Sequence, residues 1–324
     1  MKTSLGQFRR RLFGLSARSV DFQQRGFRET SPVVRKRLEN AGGTFLTGYH
    51  FALESDSPDE LVAKLAAVEL ELRGFAFEGA AMGLALLDFL TPWRRDRIRQ
   101  FLRDAGDAHA YMIHVGVGWV WARVPFGFRR AQKQLDPLLG WLAYDGWGFH
   151  EGFFHWPKYI TGQPAPQKLS GYERRVFDQG LGRSFWFVNG GNIELVAQTI
   201  SNFPADRQSD LWSGIGLAAT YAGIVNEAAL AELRDKAGEF QPPLAQGAAF
   251  AAKARQRAGN LTDYNGQATR ILCGLSAENA ARITDEALEN LPADAEVPAY
   301  EIWRCRIQRH FAPILQPQAA KCEK

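Results

Sequence analysis

Phe77-Glu78-Gly79-Ala80-Ala81-Met82-Gly83 is an apolar run interrupted only by a carboxylate and closed by a glycine, and its last residue belongs to a series. Gly48, Gly83, Gly116, Gly148, Gly180, Gly214 and Gly247 all sit in apolar or aromatic stretches, at successive spacings of 35, 33, 32, 32, 34 and 33 residues. Two helices of about a dozen residues with two short turns occupy roughly 34 positions, so this period predicts tandem helix-turn-helix hairpins. The fold expected is all-α, with TPR-like hairpins of about 33 residues stacked as an α-solenoid. Glycine inside a helix costs about 1 kcal/mol relative to alanine, so the series demands a packing reason, namely close approach of neighbouring helices.

Local signals agree. Ser57-Pro58-Asp59-Glu60 reads as a helix start, followed by Leu61, Leu65, Val68 and Leu72 at helical spacing and stopped at Gly74. An apolar helix from Phe75 to Leu90 then precedes a polar one that starts at Thr91-Pro92-Trp93 and ends at Gly106. The alternation returns as His109 to Val124 with Phe128 to Tyr144, and as Asp210 to Gly223 with Asn226 to Gly238. Pro242 to Gly259, Thr262 to Gly274, Ser276 to Leu291 and Val297 to Ala312 continue it. Asp178 to Arg183 reads as a helix or a loop, and Ser184-Phe185-Trp186-Phe187-Val188 as a short strand or a buried helical turn.

With 46% hydrophobic residues, 12% aromatic residues and nine tryptophans, the 324-residue chain has material for a large core. Its net charge of +4 is uneven. Residues 1–37 hold ten Lys or Arg against Asp21 and Glu29, a balance of +8, which leaves −4 for the rest. The organisation expected is a basic N-terminal arm over 1–37, one helical-repeat domain over 38–315 and a flexible tail over 316–324. A basic arm on an acidic body suits an anionic surface or an acidic partner, and the body offers no footprint for nucleic acid. Phe8, Leu12, Phe13 and Leu15 among Arg9, Arg10, Arg11 and Arg18 have the makings of an amphipathic surface helix. No secretory hydrophobic region follows the early arginines, and no segment reaches the roughly 20 apolar residues of a membrane span. The location expected is the cytoplasm, with at most a peripheral membrane attachment. Cys273, Cys305 and Cys322 are too few and too scattered for a disulfide framework or a zinc knuckle.

The chemistry concentrates in Gly146-Trp147-Gly148-Phe149-His150-Glu151-Gly152-Phe153-Phe154-His155-Trp156. Two imidazoles and a carboxylate can bind a transition metal or act as general base and acid, which nominates His150 and Glu151 as catalytic and His150 and His155 as metal ligands. On a regular helix, residues five apart stand about 140° apart, so metal binding here requires irregular backbone, which Gly148 and Gly152 permit, and a ligand from elsewhere. Glu78 is a second catalytic candidate, in a groove shared with Glu151, His114 and Asp88. Trp119, Trp147 and Trp212 are the expected apolar walls for a substrate. Arg207 is a candidate carboxylate or phosphate clamp oriented by Asp210. The alternative for each is a polar group satisfied inside a helical core. Gly116-Val117-Gly118, Gly180-Leu181-Gly182 and Gly214-Ile215-Gly216 lack the third glycine and the preceding strand of a dinucleotide site. No motif assigns a cofactor.

Phe77-Glu78-Gly79-Ala80-Ala81-Met82, Gly148-Phe149-His150-Glu151-Gly152 and Asp210-Leu211-Trp212-Ser213-Gly214 resemble a family of uncharacterised bacterial proteins whose genes occur near enediyne and related polyketide biosynthesis genes. The resemblance extends from about Arg25 to the C-terminal helices. It implies an accessory protein of specialised metabolism beside a polyketide biosynthetic enzyme or a membrane-associated redox partner, and assigns no catalytic residue. Two functions are then open. One is a helical-repeat scaffold that binds such a partner. The other is a cyclase or tailoring enzyme that encloses an apolar polyene and uses Glu78, His150 or Glu151, with or without a metal.

Overall fold

A computed structural model describes residues 4–91, 93, 96–124, 126–293 and 296–315. Every regular element among them is helical. The chain separates into two compact units, one of residues 1–27 and 35–147, the other of residues 28–34 and 148–324.

The first unit contains α1 (Ser4–Phe13), α2 (Phe22–Arg25), most of α3 (Pro32–Glu54), α4 (Pro58–Ala66), α5 (Arg73–Leu90), α6 (Arg97–Arg103), α7 (Ala110–Arg123), α8 (Phe128–Gln132) and the start of α9 (Leu142–Phe154). The second unit contains the end of α9, then α10 (Trp156–Thr161), α11 (Tyr172–Val188), α12 (Ile193–Ser201), α13 (Ala205–Ala222), α14 (Glu227–Ala237), α15 (Gln241–Arg257), α16 (Asp263–Leu272), α17 (Ala277–Glu286) and α18 (Ala299–Leu315). The division therefore falls inside α9 rather than after residue 37.

Caps lie where the sequence places them. The Ser57 hydroxyl accepts from the Glu60 N–H, and Asn226 caps α14, which ends before Gly238 at φ 53°. Thr262 and Asn265 form a reciprocal capping box on α16. Other boundaries move. α4 stops at Ala66 and Gly74 lies in the first turn of α5, so Gly74 terminates nothing. The polar helix expected from Thr91 starts only at Arg97; Pro92, Arg94 and Arg95 lie outside the described residues, as do Cys322 and the rest of 316–324. The segment from Phe128 to Tyr144 holds the short α8 and then the first residues of α9. Asp178 to Val188 is helix throughout, and this part of α11 is buried on every side.

The glycine period has a physical cause. In the first unit, a Cβ on Gly48 would stand 2.6 Å from the Ala76 carbonyl carbon and one on Gly116 3.0 Å from that of Glu78, and Gly79, Gly118 and Gly146, outside the period, meet the carbonyl carbons of Phe45, Ala143 and Val115 at 2.8 Å. In the second unit Gly148 meets Phe177, Gly182 meets Leu211, Gly216 meets Leu244 and Gly247 meets Ser213 in the same way. The hydrogen that replaces a side chain points at a carbonyl of the next helix, a recurring Cα–H···O approach that any Cβ would block. Residues two apart on a helix point about 200° apart, to nearly opposite sides. Gly214-Ile215-Gly216 accordingly lets α13 lie against α11 through Gly214 and against α15 through Gly216. The Gly-x-Gly pairs are thus helix-packing devices. Alongside, α12 packs on α14 and α14 on α16.

The basic N-terminal segment is docked by its charges. Arg9 reaches Asp56 at 3.0 Å, Arg10 faces Glu54 at 3.9 Å, and the Tyr49 hydroxyl donates to the Phe13 carbonyl. Leu5, Phe8 and Leu12 instead form an exposed face of α1, while Phe13 and Leu15 are half-buried. Among the described residues no helix is long and apolar enough to cross a membrane.

Candidate active site at the α9–α10 break

α9 must end near His155, because Pro157 follows. Proline cannot donate the helical hydrogen bond, and its ring crowds the carbonyl four residues back, that of Phe153. His155 adopts φ −126° and ψ 29°, outside the helix, and α10 restarts at Trp156. The irregular backbone that metal binding requires is therefore present, but the Trp156-Pro157 step creates it. Gly148 and Gly152 both remain helical and pack against Phe177 and Ser184.

The break gathers the cluster. One Glu151 oxygen lies 3.7 Å from His150 Nδ1 and the other accepts from His155 Nδ1 at 3.1 Å. Ligand atoms of all three residues fall within 4.8 Å of one another. His150 is buried, its ring 4.8 Å from that of Phe154, whereas His155 is 55% exposed and opens the cluster to solvent. Tyr159 of α10 adds its hydroxyl to Glu151 and is itself buried. Burial would raise the Glu151 carboxyl, but the neighbouring His150, with His155 and Tyr159, outweighs it and holds it below the ordinary carboxylate range. Burial and the neighbouring Glu151 charge both push the Tyr159 phenol far up, so it stays protonated and donates. The result is an anionic carboxylate between two imidazoles and a phenol. It can chelate a divalent transition ion, or exchange a proton with solvent through the exposed His155.

The other nominated residues do not join it. In the first unit, the buried Glu78 accepts from Trp119 Nε1 at 3.0 Å, and Trp119 packs on Phe45 with ring centres 4.2 Å apart. His114 Nδ1 faces the Ala110 carbonyl at 2.7 Å, and Asp88 is paired with Arg97 at 2.9 Å. Trp147 stacks edge-on with Phe128 in the core. Glu78, Trp119 and Trp147 are therefore buried core groups. In the second unit, Trp212 is buried in α13. The Arg207 fork is occupied by both oxygens of Asp178 and by the Gln163 carbonyl, so it clamps a carboxylate of its own chain and Asp210 does not orient it. Burial pushes the Asp178 carboxyl up to about 6 against the pull of Arg207.

Asp210 instead centres a buried network. Arg175 and Arg304 donate to it at 2.9 and 2.8 Å, both also pair with Glu301, and Arg304 Nε reaches Gln246, which accepts from Ser213. Tyr172 donates to Glu301 at 2.6 Å. Sequence inspection missed this set because its members lie up to 132 residues apart and share no motif.

The model of a family described only as a protein of unknown function (DUF1702) matches residues 4–311. This chain belongs to that family. No curated protein and no solved structure matches it. The family match spans both units, the α9–α10 break and the buried network, so all of these lie within the family's own extent.

Proposed function

We propose that this protein is a metal-dependent tailoring or accessory protein of bacterial specialised metabolism, with His150, Glu151 and His155 as the ligands of a divalent transition ion. The observation that carries the proposal is the gathering of three donors within 4.8 Å at a helix break, one of them open to solvent. Two imidazoles and one carboxylate are the ligand set of many catalytic metal sites, which keep a further position open for water or substrate. Tyr159 on Glu151 is the outer hydrogen bond that such a ligand needs to hold its orientation. A bound ion would supply Lewis acidity at the open position. The pathway part of the proposal, an enediyne-type or related polyketide, rests on the resemblance of the three quoted stretches.

The test is elemental analysis of untagged protein prepared without chelator, followed by titration with zinc, manganese and ferrous ions. One equivalent in the parent is expected, falling below a tenth in His155→Ala and Glu151→Gln with circular dichroism unchanged. A parent that carries and takes up no ion, or a His155→Ala variant that keeps the parent's stoichiometry, overturns the proposal.

A second reading is a TPR-like α-solenoid scaffold in the cytoplasm, binding a polyketide biosynthetic enzyme or a membrane-associated partner. Its support is the paired-glycine packing within each unit, which suits stacked hairpins. The exposed Leu5, Phe8 and Leu12 beside the exposed Arg11 and Arg18 would supply its contact with an anionic surface.

A further inference from the structure

The first unit holds a cavity of about 270 Å³ that none of the residues discussed so far explains except Asp88. Its walls are apolar: Ile98 of α6, Val117, Val120 and Trp121 of α7, and Phe128 and Ala131 of α8. Small-molecule sites are concave and mostly apolar with a few polar groups, and span roughly 300–1,000 Å³, so this cavity is a compact member of that class.

The charges at its edge decide what it accepts. Asp88 is the lining's acid, and it is already neutralised: Arg97 pairs with it at 2.9 Å, and the N–H groups of Arg97 and Ile98 both donate to its oxygens. Arg99 and Arg130, brought together from α6 and α8, line the same cavity, are exposed, and have no side-chain hydrogen-bond or ion-pair partner among the described residues. Among the described residues the lining therefore presents two arginines without an ion-pair partner beside an apolar wall. Phe126, 72% exposed, and Phe89, 43% exposed, extend the apolar surface outward, an arrangement that water solvates poorly.

We propose that this cavity binds an amphiphilic acid, a medium-chain acyl carboxylate whose chain lies against Val120, Trp121 and Phe128 and whose head group is held by Arg99 and Arg130. Planar guanidinium forks match carboxylate geometry, and a pair of them favours an anion over a neutral head group of the same length.

Isothermal titration of the full chain with decanoate and with decanol, below the micellar range, tests the proposal. Saturable decanoate binding is expected. It should weaken at least tenfold in Arg99→Ala/Arg130→Ala, with decanol affinity unchanged, and disappear in Ala131→Trp, which fills the cavity from the short α8. The affinity should be the same in His155→Ala, because a carboxylate bound at the metal cluster would lose its site there. Absence of saturable binding, equal binding by the double arginine variant, or loss in His155→Ala overturns it. Since both arginines are exposed and have no side-chain partner among the described residues, their removal leaves the fold intact and the test readable.

Discussion

Replacing Gly216 by alanine separates a packing role from simple helix propensity. On an exposed helix the change should stabilise by about 1 kcal/mol, because alanine is the better helix former. Here the new Cβ would lie 2.8 Å from the Leu244 carbonyl carbon and closer still to its oxygen, whereas ordinary contact begins at 3.4 Å. α13 and α15 must therefore move apart by more than the roughly 0.6 Å that the carbon alone demands, because the oxygen is nearer, and a gap of 0.5–1 Å already forfeits about a quarter to a half of each contact's dispersion energy. The obstruction is backbone, which cannot rotate aside, so the cost belongs near the upper end of overpacking penalties, about 3 kcal/mol. Set against the propensity gain, Gly216→Ala should destabilise by about 2 kcal/mol. Gly266 of α16 is the control: the nearest atom to its Cβ would be Arg270 Nη1 at 3.7 Å, so Gly266→Ala should be neutral or stabilising by up to about 1 kcal/mol. Urea unfolding followed by circular dichroism reads both. Equal stability of Gly216→Ala and the parent, or an equal loss in Gly266→Ala, would refute close packing as the reason for the glycines.

Asp210→Ala leaves the fully buried Arg304 facing an empty site, and breaking a buried pair in this way costs about 3–5 kcal/mol. A urea midpoint shifted by less than 1 kcal/mol equivalent would mean that Glu301 and Tyr172 compensate. Asp178 gives a pH signature. Its folded carboxyl holds a proton up to about 6, above the unfolded value of about 3.9, so this group's stabilisation is complete below about pH 4 and is lost as pH rises through 6. Asp178→Asn should abolish that part of the decline, up to about 1.4 kcal/mol per pH unit between 4 and 6; parallel stability curves for parent and variant would reject it.

How much was legible in the sequence follows from the range of each interaction. Helix class and the caps at Ser57, Asn226, Thr262 and Ser276 depend on residues within one or two turns, and the chain order records them directly. The Gly-x-Gly pairs were visible, and their rejection as nucleotide loops stands. Their meaning needed the neighbouring helices, because only a carbonyl facing each glycine distinguishes a packing device from a flexible one. The α9–α10 cluster was half visible. His150, Glu151 and His155 stood out, and Pro157 carried the signal for the break, but regular helical spacing pointed His155 away from His150. Tyr159 joins only once the chain turns there.

The sequence by itself determined that this chain is helical, where its glycines recur and which short segment concentrates imidazole and carboxylate. The tertiary structure decided which charges remain available for chemistry. Arg207 and Asp210 look like a pair in sequence, yet each is committed to a different partner from another helix, while Arg99 and Arg130, inconspicuous in sequence, stand beside an apolar cavity without an ion-pair partner among the described residues. The physical reason is that a charge's role is set by the groups within a few ångströms of it, and in stacked helices most of those groups come from distant parts of the chain.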